Sequence, residues 1–293
     1  MRTLLFGKFG QLGWELQRCL GCLGEVLALD YPEIDLQNPA SVREWVRKAT
    51  PDLIVNATAY TAVDKAESEL DVAMAINAHS VGVLAEEAER QRAALIHFST
   101  DYVFDGNKGS PYVEDDIPNP LNIYGQSKLA GERLIQESGD SYLILRTSWV
   151  YSLRRENFVT RILDWARNRT SLRVVDDQVG NPTWARALAE VTAMLLARVQ
   201  GEPYLWIKER KGIYHLAGSG IASRYEWAQA ILESDPHQKQ QTVQEILPAK
   251  SADFPTPARR PLYSALNCDK FQIVFNLQLP PWQEALKLAL EDL

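Results

Sequence analysis

Only three of the 293 residues are cysteine, at positions 19, 22 and 268, and only four are histidine, at 79, 97, 215 and 237. So small and odd a number of thiols excludes a disulfide framework. Cys19-x-x-Cys22 has no second pair to complete a zinc or redox site, and the histidines are scattered. These cysteines are therefore read as reduced thiols on and near a helix. Long apolar runs are missing as well. Stretches such as 53–55 end after a few residues, far short of the ~20 that cross a bilayer. Residues 1–6 are followed by Gly7-Lys8, too early a break for the apolar core of a signal peptide, so they are read as a strand. A cytoplasmic protein with no membrane partner is the expectation. Clusters of basic charge are absent too: the net charge is −7, with acidic and basic residues interspersed. That argues against nucleic acid as a partner, because a phosphate backbone is gripped by grouped lysine and arginine. A nucleotide-sized anion stays within reach of a helix N-terminus and one or two basic side chains.

What is present is ordinary for a globular protein: 46% hydrophobic and 24% charged residues. Short apolar segments at 3–6, 26–29, 53–55, 95–98 and 142–145 alternate with helical patterns at 11–20, 40–47, 71–91 and 124–137. Asn38-Pro39 supplies a cap and a first-turn proline for the second helix. Strands buried on both faces and alternating with helices predict an α/β fold, a Rossmann-type doubly wound parallel sheet. Past residue 150 the helical stretches (158–167, 185–198, 225–233, 282–291) are joined by longer, proline-richer links. Residues 248–261 hold four prolines and predict an irregular loop on a surface or cleft. The division expected is a nucleotide-binding domain over 1–150. A smaller substrate-binding lobe over 151–293 would be interleaved with returns to the main sheet.

Gly7-Lys8-Phe9-Gly10-Gln11-Leu12-Gly13 follows the first strand and opens the first helix, the context a dinucleotide turn requires. Gly7 allows the tight turn, Gly10 lets the backbone approach a pyrophosphate, and Gly13 lets helix and strand pack closely. The amides around Gln11 and Leu12 would face the phosphates. Asp30 ends the second strand, placed to accept hydrogen bonds from an adenosine ribose and to favour NADH over NADPH; Lys8 nearby keeps a 2′-phosphate open. Thr58, Ala59 and Thr61, after the third strand, lie on the ligand-binding edge of such a sheet.

Ser99-Thr100-Asp101-Tyr102 follows the fourth strand on the same edge. Tyr124 and Lys128 stand four apart at a helix start, hence on one face. A free tyrosine titrates near ~10 and is a poor acid at neutrality. An adjacent ammonium would lower that value and make Tyr124 a proton donor. Thr100 is placed to bond the same substrate oxygen, and Asn77 is a candidate to orient Lys128 through water.

Joined together, these blocks resemble the extended short-chain dehydrogenase/reductase family. Its motifs run nearly the whole length: Gly10-Gln11-Leu12-Gly13-Trp14-Glu15-Leu16, Thr61-Ala62-Val63-Asp64-Lys65-Ala66-Glu67, Ser99-Thr100-Asp101-Tyr102-Val103-Phe104, Asn122-Ile123-Tyr124-Gly125-Gln126-Ser127-Lys128, Arg146-Thr147-Ser148-Trp149-Val150-Tyr151 and Asp177-Gln178-Val179-Gly180-Asn181-Pro182-Thr183. The resemblance implies a nicotinamide cofactor, NADPH or NADH, and a nucleotide-sugar substrate whose 4-keto group is reduced. Tyr124 would be the proton donor, Lys128 would hold the nicotinamide ribose, and Thr100 would polarise the carbonyl. It also puts Val63, Asp101, Tyr102, Trp149 and Arg260 on the substrate side. Trp149 is either a sugar-facing ring or a core tryptophan, and Arg260 either a diphosphate ligand or a loop arginine. Some members are dimers with Mg²⁺ between acidic side chains. Glu15 and Asp292 match two of those places, but Arg186 stands at the third, which disfavours both the metal and that dimer; monomer and homodimer stay open. Two rival readings are an epimerase of the same superfamily, which returns the hydride to its substrate, and a non-catalytic reductase-like subunit of methionine adenosyltransferase.

Overall fold

A computed structural model describes residues 1–291 and 293. Six strands build the central sheet: β1 (Arg2–Phe6), β2 (Glu25–Leu29), β3 (Leu53–Asn56), β4 (Ala94–Thr100), β5 (Tyr142–Thr147) and β6 (Gly212–His215). All pair in parallel, in the order β6-β5-β4-β3-β1-β2. The order reverses between β1 and β3, so loops leaving the two strands diverge and open a crevice at their carboxyl ends. The sequence pattern predicts five of these strands. The sixth is four residues long and pairs only with β5, so its apolar content marks it weakly.

Helices α1 (Gln11–Leu20), α2 (Pro39–Ala49), α3 (Ser80–Gln91), α4 (Ile123–Ser138) and α5 (Ala185–Leu196) cover the sheet. Asn38 caps α2 as its side chain accepts from the amides of Ala40 and Ser41. α1 and α5 cover one face, where Leu5, Leu16, Val55, Ile96 and Leu188 are buried together. α2, α3 and α4 cover the other, around Leu4, Val42, Ile54, Leu84, Leu95 and Ile135. β3 and β5 are buried at every position, which explains why those segments carry no polar alternation. The single helix predicted over 71–91 is instead an α-helix at Leu70–Met74, a π-helical turn at Ala75–His79, and α3. The extra residue per turn lets Asn77 face inward, where its side chain bonds Tyr60 N–H and carbonyl and the Ser127 hydroxyl.

After β5 the chain builds a second cluster in which Tyr151, Ile162, Trp227 and Leu286 are buried. The region predicted as a loop over 248–261 begins as a strand, Glu245–Ala249, paired with Ser171–Val175; only the remainder is irregular. α5 returns to pack on α1, and β6 returns to the main sheet.

Candidate active site

The turn after β1 shows why glycine stands where it does. Gly7 has φ +97°, and a Cβ on Gly13 would sit 1.9 Å from the Gly7 carbonyl oxygen. Backbone cannot yield as a side-chain tip can. Gly13→Ala should therefore push α1 off the turn, costing about 1–3 kcal/mol as overpacking does. It should also abolish dinucleotide binding, read by fluorescence titration with NADPH. Unimpaired binding would refute the tight-packing account. Gly10 caps α1 with no side-chain bond, leaving the first amides of that helix bare.

Those amides open onto a cavity of about 760 Å³ lined by Gly7, Gly10, Gln11, Leu12, Asp30, Thr58, Ala59, Thr61, Ser99, Tyr124, Lys128 and Arg155, among others. A helix N-terminus, a glycine turn and a strand-end carboxylate in one elongated crevice fit a dinucleotide. Asp30 accepts from the amides of Phe9 and Tyr31, which fix its carboxylate at the rim. Lys8, predicted as a neighbour for a 2′-phosphate, is instead ion-paired with Glu33 at 2.6 Å. The Gln11 side chain accepts from Ser152 and Asn157, tying the turn to the second half of the chain.

α4 lies against β4 in matched steps. One turn separates Lys128 from Glu132, and a two-residue step along the strand takes His97 to Ser99. Those spacings, ~5.4 Å and ~6.7 Å, are close enough for two rungs. Lys128 Nζ meets His97 Nε2 at 3.1 Å and donates to the Phe98 carbonyl at 2.7 Å. Glu132 accepts from the Ser99 hydroxyl at 2.5 Å and from Arg146 through two nitrogens, with both ends of that ion pair buried. Sequence reasoning misses His97, because a lone histidine in the run 95–98 looks like core. The usable signal is the two-residue alternation of His97 and Ser99 opposite Lys128 and Glu132.

Tyr124 reaches the cavity from the first turn of α4, which Asn122 caps by accepting from Gly125 N–H. The structure corrects the expected electrostatics. Burial pushes the Tyr124 hydroxyl above its usual range, partly offset by a bond to Thr100, while burial pulls Lys128 down to about 8. The amine faces His97 and the Phe98 carbonyl, so it does not draw the phenol toward its anion. Asn77, the candidate to orient Lys128 through water, is itself held by Tyr60 and Ser127.

Ser99 and Thr100, expected to follow the fourth strand, are instead its last two residues, and Ser99 rather than Thr100 lies on the cavity wall. Thr100 donates to Asp101 and accepts from Tyr102 N–H; its one proton serves either Asp101 or the Tyr124 oxygen, not both at once. Asp101 is buried and also accepts from Ser264; burial pushes it up to about 6. Tyr102 packs edge-on against Tyr124, with ring centres 5.8 Å apart.

A second cavity of about 730 Å³ adjoins the first at Glu156. Its walls carry Arg161, Arg224, Arg259 and Arg260 beside Phe158, Trp165 and Phe254. Four guanidiniums and three aromatic rings suit an anionic, base-bearing ligand. Arg260 lines it while paired with Asp64 at 2.7 Å. Trp149, with φ +46°, stacks on Trp227 beneath the Arg224 guanidinium, 3.6 Å from its ring, and crowds Gly180 so closely that a Cβ there would lie 2.6 Å away. Val63 opens the short helix Val63–Ala66 and lines neither cavity; its neighbour Asp64 makes the ion pair. Among the described residues no group of histidine, cysteine and carboxylate side chains could hold a metal ion. Glu15 sits near Arg18 and Arg186, and Asp292 lies outside the described residues. Cys19, Cys22 and Cys268 are free thiols, and no described helix is long and apolar enough to cross a membrane.

Comparison with known proteins agrees with this geometry. The family model described as RmlD substrate binding domain matches residues 1–293. The dTDP-4-dehydrorhamnose reductase of Escherichia coli K12 is 45% identical, covering 100% of this chain and 98% of that protein. The crystal structure of a dTDP-4-dehydrorhamnose reductase from Clostridium acetobutylicum superposes with TM-score 0.90 at 33% identity, over 99% of both chains. One from Bacillus anthracis, in complex with NADP, superposes with TM-score 0.89 at 33% identity, over 100% of this chain and 99% of that one.

Proposed function

The chain belongs to the RmlD substrate binding domain family, and from that premise we propose that it is an NAD(P)H-dependent oxidoreductase. It reduces the 4-keto group of dTDP-4-dehydro-L-rhamnose to give dTDP-L-rhamnose. The observation that carries this reading is the junction of two cavities: Tyr124 and Lys128 open onto the dinucleotide crevice, which meets the arginine-lined pocket at Glu156. Residues 1–150 supply most of the cofactor side and 151–293 most of the substrate side, in the cytoplasm.

The bound nicotinamide supplies a hydride to C4 of the sugar. The α1 amides and Gly7–Leu12 hold the diphosphate, and Asp30 accepts from the adenosine ribose. Thr58, Ala59 and Thr61 form the opposite wall. Tyr124 gives its proton to the oxygen on C4, and a phenol held neutral by burial suits a donor. Thr100, whose hydroxyl proton rests on Asp101, turns it to the Tyr124 oxygen as the phenol gives up its own. Lys128 holds the nicotinamide ribose. Arg224 and Arg260 neutralise the sugar diphosphate, and Trp149 with Tyr102 shapes the sugar pocket.

Incubation with dTDP-4-dehydro-L-rhamnose and each reduced nicotinamide tests this directly. Cofactor oxidation matched one-for-one by dTDP-L-rhamnose is expected. Tightly bound NAD with no net oxidation would point to an epimerase instead. Asp30→Ala is expected to weaken NADH more than NADPH, since only the unphosphorylated ribose uses that carboxylate. Equal losses of affinity for the two would remove Asp30 from the ribose contact.

A further inference from the structure

His97 is caught between two partners that together dictate where its proton sits. Nε2 lies 3.1 Å from Lys128 Nζ, and Nδ1 lies 3.1 Å from the side-chain nitrogen of Asn56. Asn56 and His97 are direct neighbours across β3 and β4. Two bonds set how the Asn56 amide faces in this arrangement: its oxygen accepts from Thr58 N–H at 3.0 Å and from the Thr58 hydroxyl at 2.5 Å. Its NH₂ therefore faces the ring, so Nδ1 must accept. A neutral imidazole carries one donor and one acceptor. The ring proton is thus on Nε2, aimed at Lys128, and an ammonium there would set donor against donor. His97, Asn56 and Lys128 are 0%, 1% and 1% exposed, so a mismatch could not be relieved at the surface.

We propose that His97 is a positioning residue for Lys128: together with Asn56 it forms a buried relay in which this arrangement holds the lysine as a neutral amine, and protonating the lysine switches the histidine tautomer. In the neutral form Nζ accepts from Nε2–H and donates to the Phe98 carbonyl. Adding one proton makes Nζ a donor only. Nε2 must then accept, the single ring proton resides on Nδ1, and the Asn56 amide turns its oxygen toward it. That turn releases Thr58 N–H, and Thr58 lines the dinucleotide crevice. Charge on Lys128 and occupancy of the crevice are therefore linked.

The surroundings fit this account. Burial holds His97 well below its usual range, so the ring stays neutral while its tautomer changes. On α4, Tyr124 stands one turn before Lys128. Glu132, one turn after, favours the ammonium but is engaged by Arg146 from β5.

The consequence for turnover rests on the proposed role of Lys128; the tautomer does not. Two-bond ¹⁵N–¹H spectra of the histidine rings in the free, labelled protein test the relay without any substrate, with His97→Gln identifying the signal. The Nε2–H form is expected at alkaline pH, giving way to Nδ1–H with a midpoint of about 8. NADP⁺ added above that midpoint should move the ring toward Nδ1–H. One tautomer throughout, or Nδ1–H at the alkaline end, would overturn the relay. In turnover, His97→Gln can offer a carbonyl to the ammonium with no tautomer change. It should carry the alkaline fall of kcat/KM upward by about one pH unit; an unmoved limb would count against the relay. If that variant does not fold, the wild-type spectra alone still distinguish a switching ring from a fixed one.

Discussion

Tyr124→Phe is expected to lower turnover by roughly 10²–10⁴-fold, the span typical of a positioned acid–base group, while leaving NADPH affinity within about twofold of the wild type. The two effects separate because of where the hydroxyl sits. The ring packs edge-on against Tyr102, and phenylalanine keeps that contact. Only the oxygen and its bond to Thr100 are lost. The glycine turn and the α1 amides, proposed above to hold the diphosphate, belong to a different element from Tyr124. Single-turnover kinetics with each reduced nicotinamide, beside a binding titration, measures both quantities. Turnover within a few-fold of wild type would take Tyr124 out of the chemistry, whatever the cofactor affinity.

Arg146→Met should be among the most destabilising single changes available. It leaves the Glu132 carboxylate buried with only the Ser99 hydroxyl as partner. Breaking one side of a buried ion pair costs about 3–5 kcal/mol, a large share of the ~5–15 kcal/mol that holds a typical domain together. The double variant Arg146→Met, Glu132→Leu should regain most of the loss, because two apolar groups of similar volume leave no charge stranded. Urea unfolding of the wild type and these two variants gives the comparison. A double variant no more stable than the single one would mean that the single change fails through packing rather than through charge. Arg146 also stacks over Phe104, and that contact sets how far the recovery can go.

Much of the site is legible in the sequence because its signals are local. A glycine turn between strand and helix, a Tyr and Lys four apart, and polar residues at strand ends all declare themselves within a few positions. What stays hidden depends on neighbours distant in the chain. His97 acquires meaning only beside Asn56, 41 residues earlier, and Lys128, 31 later. Glu132 and Arg146 look like surface charges until α4 is laid on β4 and β5. Spacing alone predicts that Lys128 lowers the Tyr124 pKa, but the direction in which the amine turns is fixed by the carbonyl of Phe98. Thr100 is expected to polarise the substrate, and spacing cannot show that its hydroxyl also has Asp101, the very next residue, as an acceptor. There spacing places the hydroxyl but does not reveal the direction of its bond. The π-helical turn at Ala75–His79 leaves no trace in hydrophobic period, since one extra residue shifts the pattern by too little to detect.

The placement of β6 bears on any attempt to divide this protein with a stop codon. β5 is buried at every one of its six positions, and β6 forms its outer neighbour from some 65 residues further on. A fragment ending at residue 150 would keep the glycine turn, the tyrosine and the lysine, yet present a raw apolar margin of unpaired amides and carbonyls. Such a margin recruits other chains. The fragment should therefore collect in the insoluble fraction on expression, and the first 150 residues should become a tractable reagent only when the later segment travels with them.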